Sequence, residues 1–247
     1  MQRPELVAHR GHARQFPENT LPAIDSAIAC GARYVEVDVQ LTADAVPVLF
    51  HDRTLERVCG QPGAIHDYPA SAIARFRAAE QGRFGDRHAE VRIATLAELA
   101  ALASRHPGVT LFVEAKRVAL ARFGNDRFLD AITEALRPVL DRCVIISFAA
   151  DFLRRVRDRT RLPVGLVTDA WLAADAPDLA ALAPEYLFCD LDGLPATGTP
   201  ALPAPTQLVV YEVDDVATVL ALARRGVPFI ETFAIAELRT ALAGLTT

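Results

Sequence analysis

The chain has 247 residues, a net charge of -5, 51% hydrophobic and 23% charged residues. That is the size and balance of one soluble barrel domain and large for a single sandwich or bundle. An acidic chain with no Lys/Arg block excludes a nucleic-acid partner, because phosphate-backbone binding needs a basic surface.

MQRPELVAH has no apolar signal core, and no apolar run approaches the roughly 20 residues of a membrane span. The four cysteines (Cys30, Cys59, Cys143, Cys189) are scattered with no CxxC pair, so free thiols and a cytoplasmic location are expected.

Glu5 to Ala8 reads as a strand that ends at His9, and Gly11 permits a sharp turn. Asn19 or Thr20 can cap the helix LPAIDSAIAC, with Pro22 in its first turn and Gly31 as its stop. Arg33 to Val39 is a second strand, with Val35, Val37 and Val39 on one face and Glu36 and Asp38 on the other. QLTADAVPVLFHD then reads as a hairpin. Pairing Thr42 with Pro47 sets Gln40 opposite Leu49 and Asp38 opposite His51.

Residues 53–93 are rich in Gly, Pro and charge, and are read as a cap insertion over the strand ends. Thr95 and Glu98 form a capping box that opens the helix TLAELAALASRH. The strand VTLFVEA ends in Glu114, with Lys116 beyond it. Helix DRFLDAITEALRPVL, strand CVIISF, helix DFLRRVRDRT, strand PVGLVTD, a broken helix and strand EYLFCDL follow. The Pro/Gly-rich stretch 193–207 cannot hold a regular helix over most of its length. Strand LVVYEV, helix DDVATVLALARRG, strand PFIET and helix IAELRTALAG close the chain. Apart from the hairpin return, eight strands alternate with helices. The reading is therefore an α/β (β/α)8 TIM barrel, one domain over 1–247 with a small cap insertion after the second-strand hairpin.

Glu36, Asp38 and Glu114 are hard oxygen ligands at strand ends, suited to Mg²⁺ or Ca²⁺. Equally, Glu36 can pair with Arg10 and Glu114 with Lys116 as strand-end salt bridges. His9 and His51 can divide proton donor and acceptor roles. Arg10 and Lys116 can bind a phosphate or simply balance the carboxylates. His12, His66, His88 and His106 are expected to be solvated or locally hydrogen-bonded, and RRVRDRTR to be a solvated helix face. Ser147 has no nucleophile-elbow setting, and no P-loop or dinucleotide fingerprint occurs.

The ordered set His9-Arg10-Gly11, Pro17-Glu18-Asn19-Thr20, Glu36 to Val39 with Thr42 and Asp44, and Val48 with His51-Asp52 resembles the glycerophosphodiester phosphodiesterase family. Thr54-Leu55-x-Arg57, Thr95-Leu96-x-Glu98, Glu114-x-Lys116 and Ser147-Phe148 continue it. The resemblance implies the same barrel, with a small-molecule glycerophosphodiester substrate and a role in lipid or glycerol metabolism. It implies His9 and His51 as the acid/base pair. It implies Glu36, Asp38 and Glu114 as ligands to Mg²⁺ or Ca²⁺, and Arg10 and Lys116 as phosphate ligands. The implied reaction is hydrolysis of a glycerophosphodiester to sn-glycerol 3-phosphate and an alcohol, through a cyclic phosphate opened by water.

The C-terminal half departs from the family pattern. Tyr211-Glu212-Val213-Asp214 stands where an aromatic-Thr-Val-Asn run is common, and Glu231-Thr232-Phe233 where a Thr-Asp pair is common. Tyr211 can still offer an aromatic wall to the glycerol, while Glu212 adds a carboxylate not expected from the pattern, one that points away from the site if alternation continues. Rival readings are a lyase that releases the cyclic phosphate and a non-catalytic binding protein of the same fold.

Overall fold

Strand order alone closes this molecule. A computed structural model describes residues 3–173, 175–198 and 200–244. Its strands are β1 (Glu5–Ala8), β2 (Tyr34–Leu41), β3 (Pro47–Leu49), β4 (Thr110–Ala115), β5 (Cys143–Ser147), β6 (Val164–Thr168), β7 (Tyr186–Asp190), β8 (Gln207–Tyr211) and β9 (Phe229–Thr232). The order β1-β9-β8-β7-β6-β5-β4-β2 is parallel throughout, and a β1–β2 pairing joins its ends, so eight strands form a closed (β/α)8 barrel. β3 hangs antiparallel on β2 outside the ring.

Helices at 21–29, 96–104, 117–123, 125–136, 150–159, 177–182, 216–224 and 235–244 surround the strands. Thr20 caps the first by accepting from the Ala23 amide, and Asp215 caps the seventh by accepting from the Thr218 amide. The Thr95/Glu98 capping box forms as its spacing predicts. Between β7 and β8 the described residues form no helix, as the prolines require.

The two faces of the strands separate two apolar regions. Val35, Val37, Val39, Leu111 and Val113 pack outward under the helices. Val7, Phe112, Val144, Ile146, Phe188, Val209 and Phe229 fill the barrel interior. Their volume closes the floor, so that interior is a packed core and not a pore. One pleat further along the same inward rows the residues change character: His9 follows Val7, Glu114 follows Phe112, Tyr211 follows Val209 and Glu231 follows Phe229. The apolar floor thus gives way to ionisable groups at the carboxyl ends of the strands.

The hairpin register differs from the expected one by a residue. Leu41 pairs with Pro47, Gln40 with Val48 and Val39 with Leu49, and the Phe50 amide bonds the Asp38 carbonyl. The turn decides this: Thr42 pairs with Val46, and Ala45 takes a left-handed φ of 63° in between. His51 therefore reaches the site from beyond the strand rather than opposite Asp38. Gln40 holds it there, its side-chain amide donating to the carbonyls of Phe50, His51 and Asp52.

Residues 53–93 carry short helices and an apolar cluster of their own, centred on Leu55, Val58, Ile65 and Ile73. His12 is buried rather than solvated, bonded to Ser26 and Glu237 at 3.0 and 3.2 Å. Arginines of the RRVRDRTR helix pair with Asp126, Asp130, Asp178 and Glu185 on neighbouring segments.

Gly11 is the tight point of the loop after β1. Its φ is 82°, and a Cβ there would lie 2.7 Å from the Ala23 carbonyl carbon, a backbone atom that cannot swing aside. Gly11→Ala is expected to destabilise the protein by at least about 2 kcal/mol, from left-handed strain plus overlap. Denaturant midpoints for the two proteins would check this, and an unchanged midpoint would contradict it.

Candidate active site

Six residues from β1, β2, β4 and the loops that follow them meet at one mouth of the barrel, and three more arrive from the ends of β8 and β9. The cleft holds about 300 Å³ and is lined by His9, Arg10, Glu36, His51, Glu114 and Lys116, with Tyr211, Glu212 and Glu231 opposite.

His9 leaves β1 with its amide bonded to the Thr232 carbonyl, and its ring stacks on Phe233 at 4.5 Å. Nε2 lies 3.7 Å from Glu36 and Nδ1 lies 3.3 Å from Glu212. Burial first, then Arg10, hold this imidazole well below its usual pKa, favouring the neutral ring. His51 is more open. Its Nδ1 meets Asp52 at 2.8 Å, which leaves Nε2 available to a reacting group. Asp52 in turn is gripped by Arg57, which also binds Glu18 and Glu80. Through Arg57, residues 53–93 buttress the His51-Asp52 pair.

Asp38 is the electrostatic centre. It is fully buried, with Lys116 Nζ at 3.0 Å on one oxygen and Arg10 Nε at 3.2 Å on the other. Asn19 clamps it further: the Asn19 amide group donates at 2.7 Å, and the Asp38 backbone N–H donates back at 3.0 Å. Asn19 thus holds Asp38 while Thr20 does the capping. Burial opposes the charge on Asp38, but Lys116 and Arg10 outweigh it and keep the carboxyl far below the usual range.

Glu36 behaves in the opposite way. Arg10 offers it only a backbone N–H, at 3.1 Å, because the guanidinium is committed to Asp38 and Glu18. Burial, then Asp38, Glu231 and Glu114, push Glu36 well above the carboxylate range. Burial raises Glu114 and Glu231 as well, helped by Asp38 and Glu114 respectively. The anticipated Lys116–Glu114 salt bridge forms at 2.9 Å; the Arg10–Glu36 side-chain pair does not.

One oxygen each from Glu36, Asp38 and Glu114 lies within 4.8 Å of the others. Glu36 Oε1 is buried with no hydrogen-bond partner among the described residues, and Glu231 Oε1 is too. The cleft lining has five carboxylates (Glu36, Glu114, Asp169, Glu212, Glu231) against two permanent cations, Arg10 and Lys116. Orphaned buried oxygens and surplus negative charge are what a hard divalent cation compensates, so the donor set fits Mg²⁺ or Ca²⁺.

Sequence reasoning missed three parts of this site. Glu231 sits two residues after inward Phe229, so alternation on β9 would have found it. Glu212 lines the cleft instead of pointing away, because β8 ends at Tyr211 and alternation ends with it. Phe233 follows β9 and stacks on His9, a contact without a local signal. Tyr211 lines the cleft, and its hydroxyl donates to the Thr168 carbonyl at 2.9 Å. Ser147 donates to the Ala115 carbonyl and is structural.

A closed (β/α)8 barrel with ionisable groups gathered at the carboxyl ends of its strands has the architecture of the barrel enzymes. The chain belongs to the glycerophosphoryl diester phosphodiesterase family, whose model matches residues 9–197. Glycerophosphodiester phosphodiesterase 1 of Homo sapiens is 31% identical over 162 residues, covering 63% of this chain and 46% of that protein. Its Mus musculus counterpart is 37% identical over 114 residues, covering 46% of this chain and 34% of that protein. The chain thus spans about a third to a half of these mammalian relatives. The glycerophosphodiester phosphodiesterase of Caldanaerobacter subterraneus subsp. tengcongensis is 31% identical over 163 residues, 66% of this chain and 65% of that one. Among solved structures, an Oleispira antarctica phosphodiesterase in complex with the product sn-glycerol-3-phosphate superposes with a TM-score of 0.84. It is 23% identical to this chain and 98% of each chain is covered. Among the described residues no helix is long and apolar enough to cross a membrane.

Proposed function

We propose that the protein hydrolyses glycerophosphodiesters to sn-glycerol 3-phosphate and an alcohol, with His9 and His51 as the acid/base pair. One observation carries the reading. Two histidines, each with Nδ1 beside a carboxylate, face one cleft whose remaining lining pairs phosphate-binding cations with hard oxygen donors. At His51 the hydrogen bond between Nδ1 and Asp52 sets the tautomer and leaves Nε2 for proton transfer, while at His9 both ring nitrogens lie near a carboxylate, Nε2 at 3.7 Å and Nδ1 at 3.3 Å.

The residues divide the work by position. Arg10 and Lys116 hold the phosphate oxygens, and Tyr211 with Phe188 walls the glycerol side. His9, beside Glu36, takes the proton of the attacking glycerol hydroxyl. His51, which also lines the cleft, gives a proton to the departing alcohol, and the pair exchange roles when water opens the cyclic phosphate. Glu36, Asp38 and Glu114 would hold the divalent cation, which supplies neutralisation of charge developing on the phosphoryl group. Residues 53–93 brace the His51 side as a small insertion of a single barrel domain.

The test follows phosphorus by NMR. The metal-stripped protein, incubated with glycerophosphodiesters, is expected to be inactive and to recover with Mg²⁺ or Ca²⁺, ending in the monoester. A cyclic phosphate that persists with no monoester would make the protein a lyase. Full activity in the presence of chelator would remove the cation from the scheme.

A further inference from the structure

A second cleft of about 800 Å³ opens against the first, and the two share His51, Glu114, Lys116 and Phe148. The second cleft begins at the proposed acid and extends away from the glycerol wall, so its position is that of the leaving alcohol. This inference rests on the reading above.

Its charges are unequally used. Asp52 is occupied by His51 and Arg57, and Glu114 by Lys116. Arg53 and Arg117 line the same cleft, and neither has a carboxylate partner among the described residues. Free positive charge therefore remains where the alcohol half would lie. The apolar side is narrow: Val118, Ala121 and the ring of Phe148. The Arg117 guanidinium lies 4.9 Å from the centre of that ring. A quaternary ammonium is recognised by open aromatic faces. Among the described residues Phe148 is the one Phe, Tyr or Trp lining this cleft, and a cation of the protein already covers it.

We propose that this cleft selects diesters whose alcohol carries its own anion, a phosphate or a carboxylate, and that Arg53 and Arg117 are the residues that set this specificity. They bind the second anion as exposed guanidinium groups. They disfavour choline-type alcohols by like charge and by the covered ring.

The experiment uses three diesters of glycerol 3-phosphate, with glycerol phosphate, glycerol or choline as the alcohol. The wild-type protein is expected to rank them in that order by kcat/KM, the first about tenfold above the last, as two exposed charge pairs allow. Arg53→Ala/Arg117→Ala should lose that advantage and leave the neutral diester within about twofold. Arg53→Glu/Arg117→Glu should turn the preference toward choline, a change that misfolding cannot imitate. The same three diesters are titrated by calorimetry into His9→Ala, which reads the preference without turnover. Turnover without this ranking, or an arginine variant that slows all three diesters equally, overturns the specificity and leaves the hydrolase reading. No turnover, with the binding preference kept in His9→Ala, overturns the hydrolase reading and leaves the subsite.

Discussion

His51→Ala is expected to lower kcat by about 10²- to 10⁴-fold and leave the fold intact. The site makes this the cleaner of the two histidine tests. His51 lies beyond β3 with its side chain one-third exposed. His9 is buried against Phe233, so His9→Ala removes packing as well as a proton carrier. The assignment of His51 as acid to the leaving group adds a sharper expectation. With p-nitrophenol as the alcohol, which departs without a proton, the loss in His51→Ala should shrink strongly, whereas that of His9→Ala should not. Equal losses on both substrates would refute the division of roles. Wild-type rates in His51→Ala would remove His51 from the mechanism altogether.

The second large effect separates two carboxylates that sit two residues apart. Asp38→Asn should cost about 3–5 kcal/mol, because it leaves Arg10 and Lys116 buried without their shared counter-charge. Glu36→Gln should cost little and is expected to raise the denaturant midpoint of the metal-free protein. It keeps the bond from the Arg10 N–H and ends the repulsion with Asp38, Glu231 and Glu114. Both variants should lose divalent-cation binding by calorimetry. Destabilisation by Asp38→Asn with no gain from Glu36→Gln would mean that Glu36 pairs within the protein, and cation binding retained in both would remove them as ligands. The pattern, a group that strains the apo protein and is needed for its work, is the usual trade between stability and function.

Much of this site was readable before folding was considered. The alternation of YVEVDV separates core valines from site carboxylates, and the structure follows it. The strand ends at His9 and Glu114-Ala115 stand where apolar runs stop. The hairpin was readable too, but its register was not. Thr42 can close the turn in two ways, and only the left-handed Ala45 chooses between them. Arg10 illustrates the same limit in electrostatics. A shared place at strand ends suggested Glu36 as its partner, whereas the loop geometry at φ 54° sends the guanidinium to Asp38 and Glu18.

The amino-acid sequence by itself determined which strands exist, which of their faces are apolar, and which ionisable groups end them. Those properties follow from local periodicity and side-chain chemistry. Tertiary structure alone decided which ends meet. Closure of the ring sets Ala8 of β1 beside Thr232 of β9, and so brings Glu212, Glu231 and Phe233 onto His9 across more than half the chain. Contacts of that separation depend on how eight strands share a single circumference, and no local pattern encodes that.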